Sequence, residues 1–325
     1  MNKATCLAAL FVLSALPSCH TETNNVAGPP PGTPAKKPQV ALVMKSLANE
    51  FFKTMADGAE KHHQQHAAAY DLISNGIENE QDVNKQVDLM EQMIGRHVNV
   101  IVIAPANSKA LVPVCKKAQD AGIVVINIDN KLDEATLKDQ KTTIPFVGPD
   151  NRLGAHLAGD YLAKQLNVGE EVAIIDGMPG AFNAEQRHLG FQDSMIGAGA
   201  KIVASQAADW DTAKANSVAG ALLPQHPQLK AILCANDSMA LGVVAALNSA
   251  NRKQVKVVGF DNISAVQQMI KAGQVLCTID QHGDQIAVNG IQYGLDIFAH
   301  HAQLQDKQTP VDLINAEILK ATAPR

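Results

Sequence analysis

The sequence predicts an α/β fold built from two doubly wound parallel-sheet lobes. Short apolar runs alternate with amphipathic stretches from residue 39 to residue 300. Apolar strands joined by helices are typical of parallel sheets that are covered on both faces. Ten such strands are many for one twisted open sheet, and the pattern restarts at GPDNRLG (148–154) after KDQKTTIP (138–145). We therefore expect two sheets of four to six strands each.

The predicted strands are the short apolar runs bounded by polar or turn-forming residues. They are QVALVM (39–44), YDLIS (70–74), VNVIVIAP (98–105), IVVINID (123–129), IPFVG (144–148), EVAIIDG (171–177), KIVASQ (201–206), KAILCAN (230–236), VKVVGFD (255–261) and VLCTID (275–280). The predicted helices cover 50–66, 80–96, 109–120, 151–167, 184–197, 211–223, 238–250, 263–272 and 283–300. In doubly wound lobes, ligands bind beyond the carboxyl ends of the strands, so residues that follow strands are the candidates for a site.

The first 19 residues are typical of an export signal, because a basic start at Lys3 precedes the short apolar run CLAALFVLSAL. The run ends in LPSC (16–19), which resembles a bacterial lipobox with Cys19 as the lipidated residue. Pro17 departs from the small residue usual there, and cleavage nearby to a free periplasmic protein is the alternative. Residues 20–38 are rich in Pro, Gly and Thr and predict a flexible tether. We expect a periplasmic protein tethered to the membrane through Cys19.

Composition argues against several classes of partner. The net charge is -5 and charged residues are interspersed, which does not favour a nucleic-acid surface or a membrane-surface patch. The chain has no Cys-x-x-Cys pair, so cysteine zinc and redox motifs are excluded. We expect Cys115, Cys234 and Cys277 to be buried free thiols. The alternative is a disulfide between two of them.

Polar and aromatic residues follow the first strand. Lys45 and Asn49 supply donors and an acceptor, and Phe51 and Phe52 begin the next helix. Neighbours on a helix point about 100° apart, so we expect one ring to pack on the sheet and the other to face a cleft.

Four later strands also end in carboxylates or amides: Asp129 with Asn130, Asn236 with Asp237, Asp261 with Asn262, and Asp280 with Gln281. A single such residue is usually a helix cap, and we assign that role to Asp237.

Asn183 and Arg187 lie four residues apart at a helix start and face one way. Trp210, the only tryptophan, follows another strand, and Asp211 is expected to cap the helix after it. Carboxylates accept from hydroxyls, Arg and Lys donate to oxygens, and aromatic rings cover the C–H faces of a sugar, so this set predicts a site for a small neutral polyol.

Seven stretches carry a resemblance to a known family. KSLANEFF, VIAP, INIDNKLD, ASQAADWDTAKA, ILCANDSMALG, VVGFDNI and TIDQ occur in the order found in periplasmic sugar-binding proteins of the ribose/galactose type, the receptors of ABC sugar importers. The likeness covers about residues 38–320 and is nearest to the allose-binding branch. It implies the type I periplasmic binding protein fold, with a three-segment hinge near residues 148, 281 and 312. The N-terminal lobe would comprise 39–148 plus 282–311, and the C-terminal lobe 149–281 plus 312–325.

The resemblance also implies ligand-binding positions. They fall on Lys45, Asn49, Phe51, Asp129, Asn130, Asn183, Arg187, Trp210, Asn236, Asp261 and Gln281, and we add Phe52 because the residues leave open which ring faces the cleft. Lys45 fits the allose-binding branch. Asn130 departs from both branches, since this position is similar to a Glu position in the allose branch and to an Arg position in the ribose branch. The resemblance therefore does not decide which sugar binds.

The function implied is that of a monomeric receptor for a neutral monosaccharide. It closes by hinge motion, delivers its ligand to a membrane permease, and uses no cofactor and no metal. A sugar or sugar-alcohol sensor for chemotaxis or for a sensor kinase is the alternative. An enzyme is disfavoured because H-E-x-x-H, G-x-S-x-G and Walker motifs are absent, and His62 and His66 are better explained as a solvated helix face than as metal ligands. A lac-type repressor would need a helix-turn-helix where the signal and tether lie.

Overall fold

The computed structural model describes residues 37–322, and its core consists of two six-stranded sheets. The predicted signal, Cys19 and the tether up to residue 36 lie outside the described residues. The predicted division into two parallel-sheet lobes is confirmed. Among the described residues, no helix is both long enough and apolar enough to cross a membrane.

The first sheet is parallel throughout. Its strands, in spatial order, are β11 (Lys307–Thr309), β5 (Phe146–Pro149), β4 (Val124–Ile128), β3 (Val100–Ile103), β1 (Gln39–Ser46) and β2 (Asp71–Ile77). The helices that pack with it are α1 (Glu50–Gln65), α2 (Val83–Gly95), α3 (Val112–Asp120), α4 (Glu134–Asp139) and α10 (Gly283–Phe298).

The second sheet is parallel except for its last strand pair, β10 with β12, which is antiparallel. Its strands, in spatial order, are β12 (Asp312–Asn315), β10 (Cys277–Asp280), β9 (Lys256–Val258), β8 (Leu229–Cys234), β6 (Glu171–Asp176) and β7 (Lys201–Ala207). Its helices are α5 (Asn151–Ala163), α6 (Phe182–Gly197), α7 (Thr212–Gln225), α8 (Asp237–Ser249), α9 (Ser264–Lys271) and α11 (Ala316–Ala321).

The central strands are apolar on both sides because helices cover both faces of each sheet. In β1, Val40, Leu42 and Met44 pack in one core cluster, whereas Ala41 and Val43 pack in another. Successive side chains of a strand point to opposite faces, so one short apolar run supplies two cores. The three cysteines of the described region, at positions 115, 234 and 277, are buried and free, as expected.

The chain passes between the two sheets at three places. It leaves β5 at Asp150, which caps α5, it passes from β10 to α10 at Gln281 and His282, and it passes from β11 to β12 at Pro310. The predicted three-segment hinge is therefore confirmed. The sequence pattern did not predict β11, β12, α4 or α11, because these elements are only three to six residues long and largely polar. The crossings bring the carboxyl ends of both sheets to face each other.

The contact of α7 with α8 depends on a glycine. A Cβ added at Gly242 would lie 2.1 Å from the carbonyl oxygen of Thr212. We expect Gly242→Ala to lower the free energy of unfolding by about 1–3 kcal/mol, because the helices must separate to admit the methyl group. Urea denaturation measures this loss. The matched control is Gly220→Ala in α7, where the added Cβ meets open space and should stabilise the helix by up to ~1 kcal/mol. Equal losses at the two glycines would contradict the packing described.

Candidate functional site

A small cavity lined by mostly buried residues lies where the carboxyl ends of the two sheets face each other. Eleven of the twelve predicted residues line it, together with Glu80. They are Lys45, Asn49, Phe51, Phe52, Asp129, Asn183, Arg187, Trp210, Asn236, Asp261 and Gln281.

The first lobe contributes a buried cation between two carboxylates. Lys45, at the end of β1, places its Nζ 3.0 Å from Asp129 Oδ2 and 3.6 Å from Glu80 Oε2. Burial lowers the pKa of Lys45, but Asp129 and Glu80 outweigh that effect and hold the pKa above its usual value. Lys45 therefore stays charged and keeps its donors directed into a carboxylate-rich corner of the cavity.

The second lobe contributes a buried guanidinium that is fixed on several sides. Arg187 of α6 donates from Nε to Asn151 Oδ1 at 2.8 Å and from Nη1 to the Ala235 carbonyl at 2.8 Å. Its Nη1 also lies 3.3 Å from Asp261 Oδ1, which accepts a second hydrogen bond from Gln281 Nε2 at 2.8 Å. Burial raises the pKa of Asp261, and the Arg187 guanidinium opposes that rise. Because the planar guanidinium of Arg187 is held by three acceptors, its remaining N–H groups point in a defined direction.

Three aromatic rings enclose the cavity from opposite lobes. Phe51 and Phe52 are both buried, and their rings meet edge to face at 5.1 Å. Both rings line the cavity, so the expectation that only one would face the cleft is wrong. The reason is that Asn49 caps α1 and accepts from Phe51 N, which places the whole first turn at the cavity edge.

The Trp210 ring comes from the second lobe and lies on the backbone of Gly177, where a Cβ would be 2.1 Å from the indole. Asp209 and Trp210 both adopt left-handed backbone conformations, with φ of 53° and 65°. Such strain in a bulky residue is characteristic of sites where the side chain must point in one direction. Asp211 caps α7, as predicted, by accepting from Lys214 N at 2.6 Å.

Several buried polar atoms of the cavity lack hydrogen-bond partners. They are Asn183 Oδ1, Gln281 Oε1 and Trp210 Nε1, while Asp129 Oδ2 meets only Lys45 as an ion pair. Each buried polar group left unpaired costs about 1–3 kcal/mol, so proteins rarely keep several together without a ligand to satisfy them. The cavity thus favours a molecule that both donates and accepts hydrogen bonds at several points.

Glu80 is the cavity residue that the sequence pattern missed. The predicted strand 70–74 ended too early, whereas β2 continues to Ile77 and places Glu80 three residues beyond its end. The rule that ligands contact residues after strands would have included Glu80 had that boundary been right. Burial raises its pKa, and Lys45 opposes that rise.

Asn130, the twelfth predicted residue, does not line the cavity. Its Oδ1 accepts from Ser108 Oγ at 3.3 Å and from Asn183 N at 3.1 Å, and its Nδ2 donates to the Pro105 carbonyl at 2.8 Å. Its side chain is therefore engaged within the protein. Ser108 Oγ also accepts from Phe182 N at 3.0 Å. Because α6 has no side-chain cap of its own, these two residues of the first lobe cap it across the cleft.

Asp237 is not the cap of α8, contrary to expectation. Asn236 is extended and accepts from Met239 N at 2.9 Å, so the helix begins at Asp237 itself. The Asp237 carboxylate instead accepts from Ile263 N at 2.9 Å and from Thr278 Oγ1 at 2.8 Å. These bonds hold the turn that contains Asp261, whose φ is 121°. Burial raises the pKa of Asp237 to about 7.

Comparison with known proteins gives one consistent family. The family model for the periplasmic binding protein domain matches residues 40–300. The D-ribose/D-allose-binding protein of Pseudomonas aeruginosa is 54% identical over 286 residues, which cover 86% of this chain and 90% of that protein.

Two solved structures share the fold. An ABC transporter solute-binding protein from Burkholderia multivorans, with an unknown ligand represented as α-D-erythrofuranose, is 52% identical with a TM-score of 0.85, and the match covers 86% of this chain and 100% of that one. A periplasmic solute-binding protein from Actinobacillus succinogenes with bound D-allose is 34% identical with a TM-score of 0.83, and the match covers 88% of this chain and 100% of that one.

The raised pKa of Asp237 predicts a pH-dependent stability. In the folded chain the Asp237 carboxyl group keeps its proton up to about pH 7, whereas in the unfolded chain it ionises near pH 3.8. The stability that this difference contributes is therefore full below pH 3.8 and is lost as the pH rises to about 7. Asp237→Asn removes this titration. The unfolding free energy of the native chain minus that of the variant should therefore fall steadily from pH 4 to pH 7, as measured by urea denaturation. A constant difference across that range would show that Asp237 is ionised in the fold.

Proposed function

The chain belongs to the periplasmic binding protein family, and on that premise we propose that it binds a neutral monosaccharide of the ribose or allose type. It is a solute-binding receptor of the ABC-importer class that works in the periplasm, and it is not an enzyme. The family predicts a permease as the partner that receives the ligand.

The observation that carries the proposal is the concentration of unsatisfied polar atoms in one small cavity. Of the six buried side-chain atoms without a hydrogen-bond partner in residues 37–322, four belong to cavity residues. Two of them are amide oxygens that need donors, and one is an indole N–H that needs an acceptor. A polyol offers both functions at every hydroxyl, which a purely donating or purely accepting ligand does not.

Charge favours a neutral ligand. Three carboxylates, from Glu80, Asp129 and Asp261, face two cations, from Lys45 and Arg187. The carboxylates already engage both cations, so an added anion would meet a formal excess of negative charge in a buried site. The names of the similar proteins, which specify ribose and allose, agree with this requirement.

We further propose that the two lobes close on the sugar as rigid bodies. The N-terminal lobe would be residues 39–148 plus 282–311, and the C-terminal lobe residues 149–281 plus 312–325. Contacts that need the closed arrangement support this: besides the cap on α6, Ser264 N donates to Glu50 Oε1 at 2.8 Å. A ligand that contacts both lobes shifts the population toward closure. Cys19 would hold the receptor at the membrane through a lipid.

Titration with D-ribose and D-allose tests the function, because Trp210 is the only tryptophan and reports from the cavity itself. We expect saturable fluorescence change at one site per chain, without conversion of the sugar. Asp129→Asn and Asp261→Asn should each weaken binding by about 10- to 150-fold, the effect of losing a hydrogen bond to a charged group. Asp88→Asn, which removes an exposed carboxylate on α2, is the matched control.

Two results would count against this function. One is the absence of any fluorescence or thermal-stability response to ribose, allose and related monosaccharides. The other is unchanged affinity in both carboxylate variants, which would remove those residues from the ligand contact.

A further inference from the structure

Glu80 occupies a boundary within the site. It lines the cavity, and it also lines an outer groove between the lobes. Asn49 and Trp210 are the other two residues shared by the cavity and the groove. These three side chains therefore form the passage through which a group attached to the bound ring would leave the cavity.

The Glu80 carboxylate has unused capacity to accept hydrogen bonds. Its Oε2 lies 3.6 Å from Lys45 Nζ, beyond the roughly 2.7–3.2 Å of an N–H···O hydrogen bond. Lys45 lies closer to Asp129, at 3.0 Å. A carboxylate offers about four acceptor sites, which Lys45 and the neighbouring Asn49 amide cannot fill. Glu80 is only 7% exposed, and because it lines both the cavity and the outer groove, its free acceptor sites face the passage between them.

The opposite wall of the cavity also contains polar atoms without hydrogen-bond partners. Asn183 Oδ1 and Gln281 Oε1 are buried and unpaired on the second-lobe and hinge side, together with the network of Arg187 and Asp261. A sugar ring held by these groups would lie in the cavity, and a substituent directed toward the outer groove would pass Glu80.

Resting on the proposed function, we propose that Glu80 is a specificity-determining residue that accepts a hydrogen bond from an exocyclic hydroxymethyl group of the ligand. The receptor thereby prefers an aldohexose to the aldopentose with the same ring configuration. A hydroxyl donated to a buried carboxylate strengthens binding more than one donated to a neutral acceptor. An aldopentose in its pyranose form has no carbon at that position and leaves the Glu80 lone pairs unused.

The test uses three ligands that differ only at this position: D-allose, 6-deoxy-D-allose and D-ribose. Their affinities are measured by Trp210 fluorescence for the native chain, for Glu80→Gln, and for Asp88→Asn as a control that removes an exposed carboxylate away from the cavity and the groove. We expect the native chain to bind D-allose most tightly. Glu80→Gln should weaken the binding of D-allose about 10-fold or more and change the binding of the other two sugars less than about threefold, while Asp88→Asn changes none of the three affinities.

Retained binding of D-ribose by Glu80→Gln shows that the variant is folded. An equal loss for all three ligands would overturn the proposal, because Glu80 would then act on the whole site through Lys45. No loss for any ligand would overturn it as well. If the native chain bound none of the three, the proposed function itself would fail, which is a different result from either of these.

Discussion

Two cations buried among carboxylates determine how the cleft of this protein is built. Lys45 from the first lobe and Arg187 from the second are almost fully buried, and neither charge would be tolerated without its partners Asp129 and Asp261. Each pair joins a cation of one lobe to a carboxylate that follows a strand of the same lobe, so each lobe carries a preformed half of the site. Removing one partner would leave an uncompensated buried charge, which is far more costly than the loss of a surface ion pair.

Parallel topology explains why these charges meet. The carboxyl ends of parallel strands lie at one edge of a sheet, and three chain crossings hold the two edges opposite each other. Ser108 and Asn130 cap α6 across the cleft and so fix the start of this helix. The helix carries Asn183 in its first turn and Arg187 in its second. One side of the cleft thus positions ligand-facing groups on the other. Beneath the second-lobe carboxylate, Asp237 holds the strained turn at Asp261 in the same way.

Much of this arrangement was predictable from the sequence, because strand-end position is a property of local pattern. Lys45 directly follows a predicted strand, Asp129 and Asp261 end two others, and the structure gathers them around one cavity. Glu80 was missed because the predicted strand ended at residue 74, whereas Gly76 continues the strand. An added Cβ there would lie 2.7 Å from the Lys45 carbonyl oxygen, so the glycine serves the close approach of β2 to β1.

The predictions that failed did so because of contacts between parts of the chain that are distant in sequence. Asn130 occupies the expected position, but its side chain satisfies the free N–H groups of a helix in the other lobe, which local sequence does not reveal. Asn236 and Asp237 are adjacent, and only the extended backbone of Asn236 makes it the cap. The short strands β11 and β12 pair because the hinge brings them to the sheet edges, without an apolar run of their own.

A crystal structure of the chain grown with D-allose would show directly whether a sugar satisfies the unpaired atoms of the cavity. We expect one sugar between Lys45 and Arg187, with its hydroxyls bonded to Asn183 Oδ1, Gln281 Oε1 and Trp210 Nε1. A cavity that excludes the sugar while these three atoms find partners within the protein would contradict this expectation.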